Sequence, residues 1–212
     1  MIFMMFDDRT HAGRLLAEKL KEFAGENTVV YALPRGGVVL GYEVAKALDC
    51  PLDLVVSRKV GHPMNSEYAI CAVTENSPPI CNEYEVASID QGWLESEVLR
   101  QKAEIKRRKT LYPSPTISPK GKKAIIIDDG IATGLTLFSA IEEVKAQKPE
   151  MLIVAVPVSP ADTAEKIRGM VDRFICLDVP VSYLGAVGMY YASFYQVSDE
   201  EVMELLNEAN KK

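Results

Sequence analysis

Apolar residues recur along this chain with two alternating periods. Ala12, Leu16, Leu20 and Phe23 lie at helical spacing, and "TVVYAL" at 28–33 then reads as a short buried strand. After "PRGG", Leu40, Val44, Ala47 and Leu48 fall on one helical face, and "LDLVVS" at 52–57 is again strand-like. The alternation resumes with a strand at 124–127, a helix at 135–146 bearing Leu137, Ile141 and Val144, a strand at 151–157, a helix at 160–169 and a strand at 173–177. Ser159, Pro160 and Asp162 supply a cap, a first-turn proline and an acidic residue for that last helix. Strands separated by helices predict an α/β domain, doubly wound around a mainly parallel sheet.

Two stretches break the pattern. Residues 75–119 carry Pro78-Pro79, a charged helix from about Asp90 to Lys109 and the proline-spaced exit "YPSPTISPKGKK". The sparse apolar stripe of that helix (Trp93 or Leu94, Val98, Ile105) predicts that it lies over one edge of the core, and its "RQKAEIKRRK" reads as a solvated face rather than a phosphate site. Residues 178–197 are rich in Tyr, Phe and Gly, and "SDEE" at 198–201 caps a final helix bearing Val202, Leu205, Leu206 and Ala209. The expectation is one domain, with a core at 1–74 and 120–178, a helical insertion at 75–119 and a C-terminal hood at 179–212.

Composition narrows the setting. With 48% hydrophobic residues in 212, the chain is long enough for one sizeable core. Its 24 basic and 30 acidic residues leave a net charge of −6, which argues against bulk nucleic acid or an anionic membrane as partner. The opening "MIFMMF" is only six residues long, has no basic leader and runs into Asp7-Asp8-Arg9, unlike a signal peptide or a membrane span. The expected location is the cytoplasm. Cys50, Cys71, Cys81 and Cys176 form no C-x-x-C pair, and a chain of this length needs no disulfide framework, so they read as buried or incidental thiols.

The chemistry concentrates in "KKAIIIDDGIATGLT" at 122–136. A buried strand ending in Asp128-Asp129 delivers two carboxylates to the carboxyl edge of a parallel sheet, where open α/β folds place ligands. Gly130, Thr133, Gly134 and Thr136 then allow a tight turn in which amides and hydroxyls converge at a helix start, a geometry suited to a phosphate monoester. Carboxylates beside a phosphate cradle make sense when the ligand also carries hydroxyls, as a ribose 5-phosphate does.

This strand, acidic pair and "GIATGLT" resemble the signature of the type I phosphoribosyltransferases, which bind phosphoribosyl pyrophosphate (PRPP). A narrower resemblance spans nearly the whole chain. "DRTHAGRLLAEKL", "ALPRGGVVLGYEVAKAL", "PLDLVVSRKVGHPMNSEYAICAV" and "VDRFICLDVP" look like the predicted bacterial and archaeal phosphoribosyltransferases of unassigned acceptor. The resemblance implies PRPP binding by Arg35, Gly36, Gly37, Arg58, Asp128, Asp129 and the loop Gly130, Ile131, Ala132, Thr133, Gly134, Leu135 and Thr136. Arg35 and the two glycines match the pyrophosphate loop, and the cationic loop Arg58-Lys59-Val60-Gly61-His62-Pro63 stands where the family carries a mobile flap. Catalytic roles are implied for Asp128 and Asp129 at the ribose and for Lys59 at the departing pyrophosphate. Mg2+ is expected to be held mainly by PRPP, with Asp128 or Asp129 reaching it through water.

In hypoxanthine-guanine members an aspartate precedes the Thr-Gly; here Ala132 does, as in adenine members, which leaves Glu67, Asp178 or no protein group as acid or base. Cys71 stands where the narrower group is expected to carry glycine. Val187-Gly188-Met189-Tyr190-Tyr191 loosely resembles a base-contacting region, so Tyr190 or Phe194 is expected to stack on a small-molecule acceptor. The expected reaction transfers the 5-phosphoribosyl group to a nitrogen acceptor, with a nucleobase as the first class. A PRPP- or nucleotide-binding regulator and a magnesium-dependent phosphohydrolase are the rival readings. The apolar, aromatic hood suits self-association into a homo-oligomer.

Overall fold

The computed structural model describes residues 5–211; the greater part of the apolar opening stretch, residues 1–4, lies outside them. The chain opens with α1 (Arg9–Leu20), whose first amides are capped by Asp8 accepting from His11 N at 2.8 Å. Then follow β1 (Thr28–Ala32), α2 (Gly36–Leu48), β2 (Leu52–Leu54), β3 (Arg58–His62), β4 (Asn65–Val73), β5 (Ile80–Cys81), α3 (Glu83–Val86) and α4 (Gln91–Leu111). The second half supplies β6 (Lys123–Ile127), α5 (Leu135–Lys145), β7 (Met151–Val158), α6 (Ala161–Arg168), β8 (Arg173–Asp178) and α7 (Asp199–Ala209).

Five strands form a wholly parallel sheet in the order β2-β1-β6-β7-β8. Strand alternation divides its side chains between two cores. Val30, Ala32, Ile125 and Ile127 face α1 and α2, while Val29, Tyr31, Ala124 and Ile126 face Leu137, Ile141 and Val144 of α5. This is the expected doubly wound fold. The strand order reverses direction between β1 and β6, so the loops leaving those two strands open a crevice at their carboxyl ends.

Three expectations need correction. The 58–63 segment is a strand rather than a loop: β3, β4 and β5 form a separate antiparallel sheet, packed between α4 and α5. β4 is exposed over residues 65–68 and buried over residues 70–73, so it shows no alternation that would mark it as a strand. Pro160 occupies the cap position of α6 instead of its first turn, and Ser159 turns its hydroxyl to the Pro160 carbonyl, so no side chain caps that helix.

The thiols are the third. Cys71 and Cys81, direct partners across β4 and β5 with Cα atoms 4.0 Å apart, are joined in a disulfide. Counting motifs could not find it, because cross-strand register brings the two together. The closed loop holds Asn76 and Ser77, whose amides donate to the buried Glu143 carboxylate at 3.1 and 2.9 Å. Burial pushes Glu143 up, but its hydrogen bonds from Asn76 and Ser77 hold it below the usual carboxylate range. Reducing the bond is expected to cost about 2–3 kcal/mol of stability from loop-closure entropy. Urea unfolding with and without reductant measures it; identical midpoints would contradict the bond.

The long helix α4 packs against β3 and β4. Asp90 caps α4 by accepting from Trp93 N at 2.8 Å, and Leu94, Gln101 and Ile105 are its buried residues. Its basic run is solvated and internally paired, Arg100 with Glu97, Arg107 and Arg108 with Glu104, and Lys109 with Glu75. A buried Asp53 anchors the proline-rich exit by accepting from Ile117 N at 2.6 Å and from the Ser114 hydroxyl. Ser198 caps α7, accepting from Glu201 N at 3.2 Å. Among the described residues, no helix is long and apolar enough to cross a membrane.

Candidate active site

The two motifs, far apart in sequence, meet in the crevice. β1 and β6 are direct neighbours, with Ala32 opposite Ile127, and Leu33 N donates to Ile127 O at 2.9 Å where the strands end. The "PRGG" loop thus leaves beside the acidic pair. A Cβ on Gly36 would fall inside the envelope of Asp129 Oδ2, and one on Gly37 would lie 2.8 Å from Ile127 O. Glycine is required at both places because the loop rests directly on the end of β6.

The "GIATGLT" loop forms the other wall. Asp128, Ala132, Thr133, Gly134 and Thr136, with Val187 of the hood, line a cavity of about 160 Å3. Gly134 takes φ +81° at the start of α5, and the first amides of that helix have no intrahelical acceptor. Those amides and the Thr133 and Thr136 hydroxyls are the donors an anion would meet. Ile131 is buried and its amide bonds Val158 O at 2.9 Å, so it anchors the loop. Another cavity, of about 170 Å3, lies under the insertion between Asp53, Glu75, Lys109 and Glu143. Its charged groups already pair with one another or with backbone amides, which leaves little to recognise a ligand.

The acidic pair is held unequally. Asp128 Oδ1 accepts from Asp129 N at 2.8 Å, and burial followed by the neighbouring Asp129 charge pushes Asp128 well above the usual carboxylate range. Burial raises Asp129 too, opposed by Arg9, whose Nε donates to Asp129 Oδ2 at 2.8 Å. Arg9 thus favours the charged form of Asp129, whereas Asp128 has a backbone amide as its partner.

The structure does not bring every expected residue to this cluster. Arg35 reaches toward Asp199 Oδ1 at 3.9 Å, and Asp199 also accepts from the Tyr112 hydroxyl at 2.7 Å, which links the "PRGG" loop to α7 and the insertion. Arg58 bonds Gln101 and lies 3.9 Å from Glu104, both on α4. Lys59 pairs with Glu67 across the exposed β3–β4 ribbon at 2.8 Å. His62 accepts from Met64 N at the ribbon tip, and Asp178 ends β8 with its carbonyl bonded to Ser159 N.

Tyr190 is 1% exposed, stacks on Tyr183 and accepts from Leu184 N at 2.9 Å, so in this structure it is part of the hood's core. Phe194 is 38% exposed and has the Arg9 guanidinium 3.8 Å above its ring. Three residues near the site were not singled out from the sequence. Arg9 is a basic residue in the first turn of α1, where the helix dipole favours acidic ones, and that alone names no partner for it. Tyr191 donates its hydroxyl to Asp129 O at 2.6 Å. The buried Tyr183 hydroxyl has no partner among the described residues, and burial, Tyr190 and Asp129 push it up to about 12. Aromatic composition alone does not distinguish these roles.

Among the described residues, no group of three or more His, Cys, Asp and Glu side chains could hold a metal. With Asp129 Oδ2 bound to Arg9, the donor set fits an ion that takes most of its ligands from substrate oxygens and water.

The family model described as the phosphoribosyl transferase domain matches residues 8–193. The chain belongs to the phosphoribosyl transferase family. A Mycobacterium tuberculosis protein named "putative phosphoribosyl transferase" is 37% identical over 211 residues, covering 98% of this chain and 47% of that protein. The chain thus spans about half the length of the curated relatives it matches. The crystal structure of the Thermus thermophilus protein TT1426 superposes with a TM-score of 0.79 at 39% identity, covering 97% of this phosphoribosyl transferase chain and 99% of that one. A hypothetical protein of Neisseria gonorrhoeae, solved with bound ppGpp, shares the fold at a TM-score of 0.53 and 13% identity, covering 99% and 97%.

Proposed function

We propose that this chain binds PRPP and transfers its 5-phosphoribosyl group to a nitrogen of a small acceptor, of which nucleobases are the first class, with release of pyrophosphate. The observation that carries this reading is the meeting of the "PRGG" loop and the acidic "GIATGLT" loop at the ends of adjacent parallel strands.

In this reading Thr133, Thr136 and the amides from Gly130 to Leu135 hold the 5′-phosphate, and that remote binding energy fixes C1 for attack. Asp128 and Asp129 accept from the ribose hydroxyls, and Asp128, which has no cation bound to it among the described residues, favours the positive charge that develops on the ring as the bond to pyrophosphate breaks. Arg35, with the backbone of Gly36 and Gly37, receives the pyrophosphate. Lys59 joins it when the β3–β4 ribbon closes and excludes water, which requires it to leave Glu67. Mg2+, when bound, neutralises charge on the leaving group. With Ala132 before Thr133, no carboxylate of the loop faces the acceptor as acid or base.

The hood would receive a planar acceptor beside Phe194, and the Tyr183 hydroxyl, which has no partner among the described residues, is a spare donor in it. The reading keeps the cytoplasm as the location, where the Cys71–Cys81 bond would be exposed to reductants, and keeps a homo-oligomer built through the hood.

One observation favours a second reading, a PRPP- or nucleotide-binding regulator: both cations of the ribbon are engaged elsewhere, Arg58 by α4 and Lys59 by Glu67. The test is pyrophosphate release from PRPP and magnesium against a panel of nucleobases and small amines. Turnover with one acceptor is expected; PRPP binding without turnover across the panel would favour the regulator.

A further inference from the structure

A site with two adjacent carboxylates must accept a ligand that carries phosphates of the same sign. A cation from outside both motifs answers this. Arg9, in the first turn of α1, is 5% exposed. Its Nε donates to Asp129 Oδ2 at 2.8 Å, a terminal nitrogen lies 2.8 Å from the same oxygen, and the other donates to the Tyr195 carbonyl at 2.6 Å. The guanidinium also sits 3.8 Å above the Phe194 ring.

These contacts join three parts of the site. The glycine at position 36 lets the pyrophosphate loop rest on the Arg9–Asp129 pair, since a Cβ there would also lie 2.9 Å from Arg9 Nε. The N-terminal segment is tied to the hood by Phe6 N to Tyr190 O and Ala192 N to Phe6 O, both 2.8 Å. Asp128 lines the cavity of the "GIATGLT" loop and lies beside Gly37, whereas Asp129 Oδ2 turns toward Arg9 and Gly36.

We propose that Arg9 is a positioning residue for PRPP: through Oδ2 it cancels the charge of Asp129 and ties that carboxylate to the hood, so that Asp129 meets the ribose as a hydrogen-bond acceptor, which asparagine also is, and Asp128 supplies the negative charge. This rests on the PRPP reading. It has a consequence that a packing role alone lacks. Without Arg9, the Asp129 carboxylate is an unpaired charge beside the phosphates, so removing that charge as well should restore binding.

The experiment is a calorimetric titration of PRPP with magnesium into wild type, Arg9→Met, Arg9→Lys and the double variant Arg9→Met/Asp129→Asn, with thermal unfolding of each. Arg9→Met is expected to weaken PRPP about 10–100-fold, the scale for breaking one side of a buried charge pair. The double variant should recover at least about fivefold of that loss, and Arg9→Lys should stay within about tenfold of wild type because it keeps the charge. A double variant that binds no better than Arg9→Met, or an Arg9→Met that binds like wild type, overturns the role of Arg9 and leaves the PRPP reading standing. Should Arg9→Met not fold, Arg9→Lys decides: a loss of about 100-fold there overturns the charge role. Wild type that does not bind PRPP overturns the function reading, and this inference with it.

Discussion

Gly36→Ala is expected to weaken PRPP binding by more than about 100-fold while the parallel sheet stays folded, with an overpacking cost of about 1–3 kcal/mol. The added methyl would overlap Asp129 Oδ2 and lie 2.7 Å from Asp129 Cγ. Nothing around that carboxylate can give way cheaply. Arg9 grips it, Tyr195 O holds Arg9, and the Tyr191 hydroxyl fixes the Asp129 carbonyl at 2.6 Å. Either the pyrophosphate loop must lift off the end of β6 or the charge pair must break, and both displace groups that the ligand needs. A PRPP titration of the variant beside its thermal unfolding separates loss of the site from loss of the fold. Wild-type affinity in Gly36→Ala would contradict the packing of loop on carboxylate.

Asp128→Asn is expected to lower kcat about 10²–10³-fold, the scale of removing one preorganised electrostatic partner of a developing charge. Asparagine keeps the size of the side chain and an oxygen that accepts from a ribose hydroxyl, so PRPP affinity should change much less than turnover. What it lacks is the negative charge opposite a ring that becomes positive as pyrophosphate leaves. Pyrophosphate release measured at saturating PRPP, with the acceptor found by the panel, gives kcat directly. Equal losses in PRPP affinity and no change in kcat would assign Asp128 to ground-state binding alone.

The parallel sheet and its helices were legible because buried strands and amphipathic helices each impose a period on the sequence, and here the two periods alternate regularly. The "IIIDDGIATGLT" loop was legible for a different reason. Its glycines and threonines answer local backbone demands, of which the φ of +81° at Gly134 is the clearest. What escaped was everything set by tertiary register. Strand β4 is exposed at its start and buried on both faces at its end, so it shows neither the alternation of a half-buried strand nor the continuous apolar run of β1 or β7. Cys71 and Cys81 look unrelated until the antiparallel pairing places them opposite each other. Arg9 carries no local mark of its role, because its partners come from the end of β6 and from the hood. The sequence also overstated Tyr190, since an aromatic residue after a sheet reads the same whether its ring faces a ligand or, as here, a second tyrosine.

The central claim is that the crevice between β1 and β6 is a PRPP site. Calorimetric titration of PRPP into the wild-type protein in the presence of magnesium tests it most directly, with Gly36→Ala as the control. The account predicts one saturable site in wild type and its loss in the variant. Absence of binding to wild type, or equal binding by both proteins, would contradict it.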